Sequence, residues 1–301
     1  DTRYGYRVRV GSEFRDGVFR TPPAPGEPAR FRFVAMSDMQ RDGSRPDQFR
    51  LVVEDGVVAW LEALGEGDIA DTLAATLAAG DLVDDGNAYE EWARDFFAPG
   101  ARLFANAPVY PVLGNHENNS PLYFRYFDLP ANGDPALHEQ WWALDYANVR
   151  LLGLNSNELA ALLPQQMTWL DGVLDATCDD PNIDFVVAQL HHPHRSELWP
   201  AGNAGFTGRV IDRLGAFTTR CNKTSVHLYG HTHGYSRGQS RDHGHLMVNV
   251  ASGGGALDRW GGTRQSDYPE ATVSHDDYGF VVLEVEAGDA PSMTVSRYSM
   301  G

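Results

Sequence analysis

Apolar residues in this chain fall into short runs that alternate with stretches of helical spacing, and many of the runs stop on a polar residue. Phe31-Arg32-Phe33-Val34-Ala35-Met36 reads as a strand closed by Ser37-Asp38-Met39-Gln40. From about Pro46 to Leu64, Phe49, Val52, Val53, Val57, Trp60 and Leu61 recur at the helical period. After a loop near Gly65–Asp68 the chain is apolar without clear period, and a strand is placed only just before Gly80-Asp81-Leu82-Val83-Asp84. Ala88–Phe104 predicts a helix interrupted near Pro99-Gly100. Ala107–Leu113 is a short buried strand running into Gly114-Asn115-His116-Glu117. Residues 119–140 form an aromatic-rich insertion expected to set access to any pocket nearby.

Trp141–Tyr146 and Val149–Leu154 then pair across Ala147-Asn148, and Pro164–Ala176 is a helix with proline in its first turn. Phe185–Leu190 is a strand that ends on His191-His192-Pro193-His194. A helix over Phe206–Phe217 leads to the strand Val226–Tyr229, which ends on Gly230-His231-Thr232-His233. Strands follow at His245–Val250, Gly279–Glu286 and Met293–Tyr298, with loop from Gly253-Gly254-Gly255 to about Asp277. Such alternation predicts an α/β domain over 29–301, whose ligand crevice lies at the carboxyl ends of the strands. The first 28 residues differ: Tyr4–Val10 and Val18–Thr21 form a hairpin before a Pro/Gly linker. Because a lone hairpin is marginal in water, it either packs on the main domain or ends a β-sandwich, and the second is favoured.

Five strands thus finish in metal-competent groups: Asp38 with Gln40, Asp81, Asn115, His191, and His231 with His233. Asp, Asn and His without cysteine suit iron, manganese or zinc. These donors outnumber what one tetrahedral ion uses, and Asp81, central in the series, is placed to bridge two ions. Two-metal sites with ions about 3.5–4 Å apart serve in-line displacement at phosphorus. The net charge of −17 argues against a nucleic-acid partner, which needs a basic face. No apolar run approaches the roughly 20 residues of a membrane helix. The start at Asp1, with neither initiator Met nor signal peptide, reads as a processed or trimmed form. Cys178 and Cys221 each precede a predicted strand; if those strands are parallel neighbours a bridge is feasible, and two free thiols are the alternative.

The motif series Asp-x-Gln, Gly-Asp-x-x-Asp, Gly-Asn-His-Glu, His-x-Pro and Gly-His-x-His, spread over Phe31–Val250, resembles the calcineurin-like metallophosphoesterases. The hairpin and Phe-x-Thr-Pro-Pro linker resemble the purple acid phosphatase branch. The resemblance implies a four-layer α/β/β/α sandwich, preceded by the last strands of a fibronectin-like domain. It also implies a secreted enzyme, extracellular or periplasmic, acting on a small phosphate ester. One metal would be held by Asp38, Asp81 and His233, and a second by Asp81, Asn115, His191 and His231. His116 would contact the phosphate and assist the leaving group, while a metal-bound hydroxide attacks phosphorus.

Two departures weaken the first site. Gln40 stands where many members have histidine, and Asp84 where purple acid phosphatases have tyrosine, so no purple colour is expected. Asp84 is expected to cap or orient its loop, Glu117 to orient a ligand, and His192 to support the ligands or face substrate. His227 is expected in the core; Trp141 and Trp142 are expected to pack; His243, His245 and His275 read as solvated loop residues. A phosphomonoesterase is favoured over a phosphodiesterase. The rival from another class is a non-catalytic extracellular binding module with a degenerate metal site.

Overall fold

We describe residues 1–157, 163–196, 198–259 and 271–300 in a computed structural model. The alternating run at residues 31–36 becomes the centre of a five-stranded sheet, because both of its faces are covered. That sheet has the order β14-β13-β3-β4-β5, with β3 (Ala29–Met36), β4 (Ala75–Ala78), β5 (Val109–Pro111), β13 (Gly279–Ala287) and β14 (Ser292–Ser299). Within it β3, β4 and β5 are parallel.

A seven-stranded sheet has the order β12-β10-β11-β9-β8-β7-β6. Its members are β6 (Trp142–Tyr146), β7 (Val149–Gly153), β8 (Phe185–Gln189), β9 (Thr224–Tyr229), β10 (Tyr235–Gln239), β11 (His245–Asn249) and β12 (Ala271–His275). Strands β7, β8, β9 and β11 run parallel.

The two sheets face each other. Phe31 and Phe33 of β3 meet Tyr146 of β6 at ring separations of 4.9 and 5.4 Å, and Gln189 Nε2 donates to the Tyr110 carbonyl at 2.8 Å. One apolar cluster fills this interior and continues under α1 (48–64) and α2 (89–104). A second lies beneath α3 (Pro164–Asp179) and α4 (Gly205–Cys221), joining Leu170, Val210 and Leu214 to Val186 and Ala188 of β8. Burial of these stripes supplies about 25 cal/mol per Å² of apolar surface, which is what seats helices on sheets.

Ahead of the sheets, β1 (Arg3–Val10) and β2 (Glu13–Arg20) form the expected hairpin. It is tethered by Tyr6 Oη donating to the Ala105 carbonyl at 2.6 Å and by Arg3 and Arg20 pairing with Asp71. Strands β8 and β9 are parallel neighbours, and Cys178 and Cys221, at the ends of α3 and α4, are joined in a disulfide.

Four expectations need correction. The helix at 89–104 is not interrupted at Pro99: π-type turns over Trp92–Phe97 change the hydrogen-bond register just where the proline N–H is missing, and the helix carries on. Strand β10 was not expected, because Tyr-Ser-Arg-Gly-Gln has no apolar alternation and owes its form to pairing with β11 and β12. Residues Ala271–His275 were read as loop but add β12 at the sheet edge; the loop reading for 260–270 lies outside the described residues. His245 is buried inside β11, with Ser225 and His227 as partners, and is not a solvated loop residue. His227 is buried, as are Trp141 and Trp142, all in line with expectation.

Candidate metal centre

Parallel strands present their carboxyl ends at one edge, and five of them from both sheets do so here: β3, β4 and β5 opposite β8 and β9. Immediately beyond those ends lie Asp38, Asp81, Asn115, His191 and His231. Three of these residues, Asp38 (φ 57°), Asp81 (φ 52°) and His231 (φ 69°), adopt the left-handed conformation that non-glycine residues avoid. Such strain is held only where surroundings impose it, and it clusters at functional sites. The neighbouring glycines allow the crowding: a β-carbon at Gly114 would collide with the Asp81 carboxylate, and one at Gly230 with Asp38 and Ser37.

Two sets of acceptor groups converge, one of three members and one of two. In the first, His191 Nδ1 donates to the Ala79 carbonyl at 2.9 Å, which leaves Nε2 aimed inward. That Nε2 lies 3.0 Å from Asp81 Oδ2 and 3.1 Å from Asn115 Oδ1. In the second, His233 Nδ1 donates to the Ala256 carbonyl at 2.6 Å, and Nε2 lies 3.0 Å from Asp38 Oδ1. Each arrangement calls for a cation between its members, either a proton on Nε2 or a metal ion. Burial would lower the His191 pKa, yet Asp81 and Asp38 outweigh it and push His191 up to about 10. Burial likewise opposes protonation of His233, but Asp38 prevails and raises it to about 9.

The spacing also suits metal. Two donors bound at right angles to one ion, each at roughly 2.1 Å, lie about 3.0 Å apart. Ligand-competent atoms of Asp81, His191 and His231 all fall within 4.8 Å of one another. Burial, reinforced by His191, keeps His231 neutral by lowering its pKa to about 4, the form that ligates. Gln40 is 5% exposed, its Nε2 lies 3.2 Å from His233 Nε2, and its Oε1 is buried without a hydrogen-bond partner. Gln40 thus lies against His233 and carries a buried amide oxygen with free lone pairs, a chemistry that fits an ion there too.

Around these donors sit the orienting groups. The Glu117 carboxylate is fully buried and accepts from the backbone N–H groups of Asp81 (2.9 Å), Leu82 (2.7 Å) and Gly114 (2.6 Å), tying the β4 and β5 loops together. Burial and the Asp81 charge push it up to about 7, against the pull of those N–H donors. His116 donates from Nδ1 to the Asp84 carbonyl at 2.6 Å, so its Nε2 turns to the site, 3.9 Å from Asp81 Oδ2. The Asp84 side chain is 62% exposed, with its carboxylate 3.4 Å from the same His116 nitrogen. His192 packs its ring 4.4 Å from that of His231 and pairs Nδ1 with Ser156 Oγ at 2.9 Å.

The donors open into a hollow of about 280 Å³. Two of its walls escaped the sequence reading. Asp258 accepts from the His233 backbone N–H at 2.8 Å, brought in because Gly255 N donates to the Asp38 carbonyl at 2.7 Å. The Gly253–Gly255 run, read only as loop, was the available signal for that close approach. Trp199 stands 5.3 Å from the His231 ring. No described residue of the 119–140 insertion lines the hollow, contrary to expectation; its aromatics pack on α2, with Tyr126 5.3 Å from Trp92.

Known proteins share this fold. The chain superposes on a purple acid phosphatase from yellow lupin (Lupinus luteus) seeds with a TM-score of 0.72 at 17% identity, covering 99% of this chain and 57% of that one. It therefore spans little more than half the length of the plant protein. It is also similar to PhoD (TM-score 0.64, 12% identity, 99% of this chain and 77% of that one). A third likeness is to GAP50, the anchor in the inner membrane complex of Plasmodium (TM-score 0.62, 10% identity, 90% and 84%). At these identities the likeness is one of fold. The model of the calcineurin-like phosphoesterases matches residues 31–235, a stretch that contains the five strand ends from Asp38 to His231, and the chain belongs to that family.

Proposed function

We propose that this protein hydrolyses phosphoric esters at a dinuclear metal centre. Asp38, Gln40, Asp81 and His233 would hold one ion, and Asp81, Asn115, His191 and His231 the other, with Asp81 shared. The observation that carries this reading is the double convergence of acceptor atoms, His191 Nε2 on Asp81 and Asn115 and His233 Nε2 on Asp38, with Gln40, whose buried Oε1 lacks a hydrogen-bond partner, against His233. Bound there, the ions supply Lewis acidity, which acidifies water and offsets charge on the phosphoryl oxygens.

The chain's own side chains do the rest. Glu117 fixes the Asp81 and Gly114 loops in their crowded register. The Ala79 and Ala256 carbonyls hold the tautomers that leave Nε2 of His191 and His233 as ligands. His116 is held by the Asp84 carbonyl with Nε2 toward the hollow, suited to proton delivery to a departing alkoxide. Burial disfavours its charge, but Asp81 and Asp84 outweigh that and raise its pKa, so more of it carries the proton needed near neutrality.

A phosphomonoester is favoured as substrate through the purple acid phosphatase resemblance, with a phosphodiester as the alternative. The hairpin is read as the end of a fibronectin-like domain, since Val8, Val10 and Phe14 lie exposed on it. The Cys178–Cys221 disulfide supports an exported protein, because such bonds persist in oxidising compartments. The neutral Gln40 amide, a weaker donor than imidazole, is the one feature favouring a non-catalytic binding module. His116→Ala separates the two: we expect turnover of an aryl phosphate to fall about 10²-fold or more with bound metal unchanged. Unaltered turnover would remove His116 from the chemistry.

A further inference from the structure

We propose that Trp199 is a stacking platform that selects phosphoric esters with a flat, uncharged aromatic leaving group; this rests on the phosphoesterase reading above. Tryptophans usually pack, and Trp92, Trp141 and Trp142 are fully buried here. Trp199 is 36% exposed, although it sits beside a candidate ligand, with its ring 5.3 Å from His231 at an interplanar angle of 40°. It is the apolar wall of the hollow; the other described lining residues are carboxylates, imidazoles and one amide.

The platform is built rather than incidental. Gly202 N donates to the Trp199 carbonyl at 3.0 Å, and a β-carbon on Gly202 would come within 2.9 Å of both the indole and the His231 ring. Ser196 Oγ donates to Thr232 Oγ1 at 2.7 Å, and Asn249 Nδ2 donates to the Thr232 carbonyl at 2.7 Å. Those bonds, among residues that are themselves buried, fasten the Trp199 loop to the His231–His233 loop. Leu198 is buried beside it against Gly234. With its loop fastened in this way, the indole stands over the hollow before any ligand arrives, and that pre-organisation lowers the cost of stacking.

Charge narrows the class. No arginine or lysine is among the described residues lining the hollow, while Asp258 is, and the whole chain carries −17. A leaving group with further phosphates or carboxylates would meet repulsion there without a partner. A flat neutral ring gains dispersion and quadrupole contact with the indole.

The test compares phenylphosphonate with methylphosphonate as competitive, non-hydrolysable probes of the metal-loaded protein, in wild type, Trp199→Ala and Trp199→Phe. Trp199→Ala should weaken phenylphosphonate about tenfold and leave methylphosphonate unchanged, and Trp199→Phe should keep most of the phenyl preference. Phenylphosphonate should also perturb tryptophan emission in wild type more than in Trp199→Phe. Equal weakening of both probes would mean that Trp199 only props His231, and no weakening would mean that it contacts nothing; either overturns the proposal alone. If neither phosphonate binds wild type, the phosphoesterase reading fails and takes this one with it.

Discussion

Glu117 shows how much one side chain organises. A carboxylate with no exposure is costly to bury, and its compensation is three backbone N–H groups from two different loops. Those loops carry Asp81 and Asn115, so the pairing that binds Glu117 also fixes the position of two candidate ligands. Glu117→Gln preserves volume but turns an NH₂ group toward backbone donors, leaving at least one buried donor unsatisfied at about 1–3 kcal/mol. We expect the unfolding free energy to fall by about that amount, seen as a lower urea midpoint, together with a loss of bound metal; an unchanged midpoint with full metal content would show that the carboxylate is dispensable. The residues ending the strands were legible because their types are chemically demanding and each follows a β-run. Trp199 was not, because nothing in Ser-Glu-Leu-Trp-Pro distinguishes an exposed indole from a packed one. Asp258 was hidden likewise: it reaches the site only through the Gly255–Asp38 backbone contact.

Elements differ in how openly they announce themselves. Helix α1 was readable because Phe49, Val53, Val57 and Leu61 repeat at helical spacing and all face the core. Strand β10 was not, since its conformation is imposed by two neighbours. Between β9 and β11 the sheet encloses two histidines: His227 Nδ1 lies 3.0 Å from His245 Nε2, and His245 Nδ1 lies 2.7 Å from Ser225 Oγ. Burial, together with His243, lowers His245 to about 4; burial, with His245 and His194, takes His227 well below its usual value. In the unfolded chain both would titrate near about 6.5. Between about pH 6.5 and 4 the unfolded state therefore binds protons that the folded state refuses, and stability falls as pH falls. Melting temperature should drop across that window, and His245→Gln should flatten the slope. A slope equal to that of wild type would show that the pair does not govern it.

At the scale of the molecule, two sheets bring residues from Asp38 to His233 together at one edge, so no single element contains the site. The layered arrangement follows from alternating strands and amphipathic helices, whereas the pairing of the sheets depends on contacts such as Phe31 with Tyr146 that no local pattern records. An overall charge of −17 gives no steering toward anionic esters, so under the proposed function the local positive charge of bound metal would be the feature on which recognition turns. The decisive measurement is metal content of the purified protein, paired with turnover of an aryl phosphate monoester and diester. The account predicts near two equivalents of transition metal, by the two sets of acceptors at His191 and His233, with hydrolysis of at least one ester. One equivalent or none, with no turnover after manganese, iron or zinc is supplied, would contradict it.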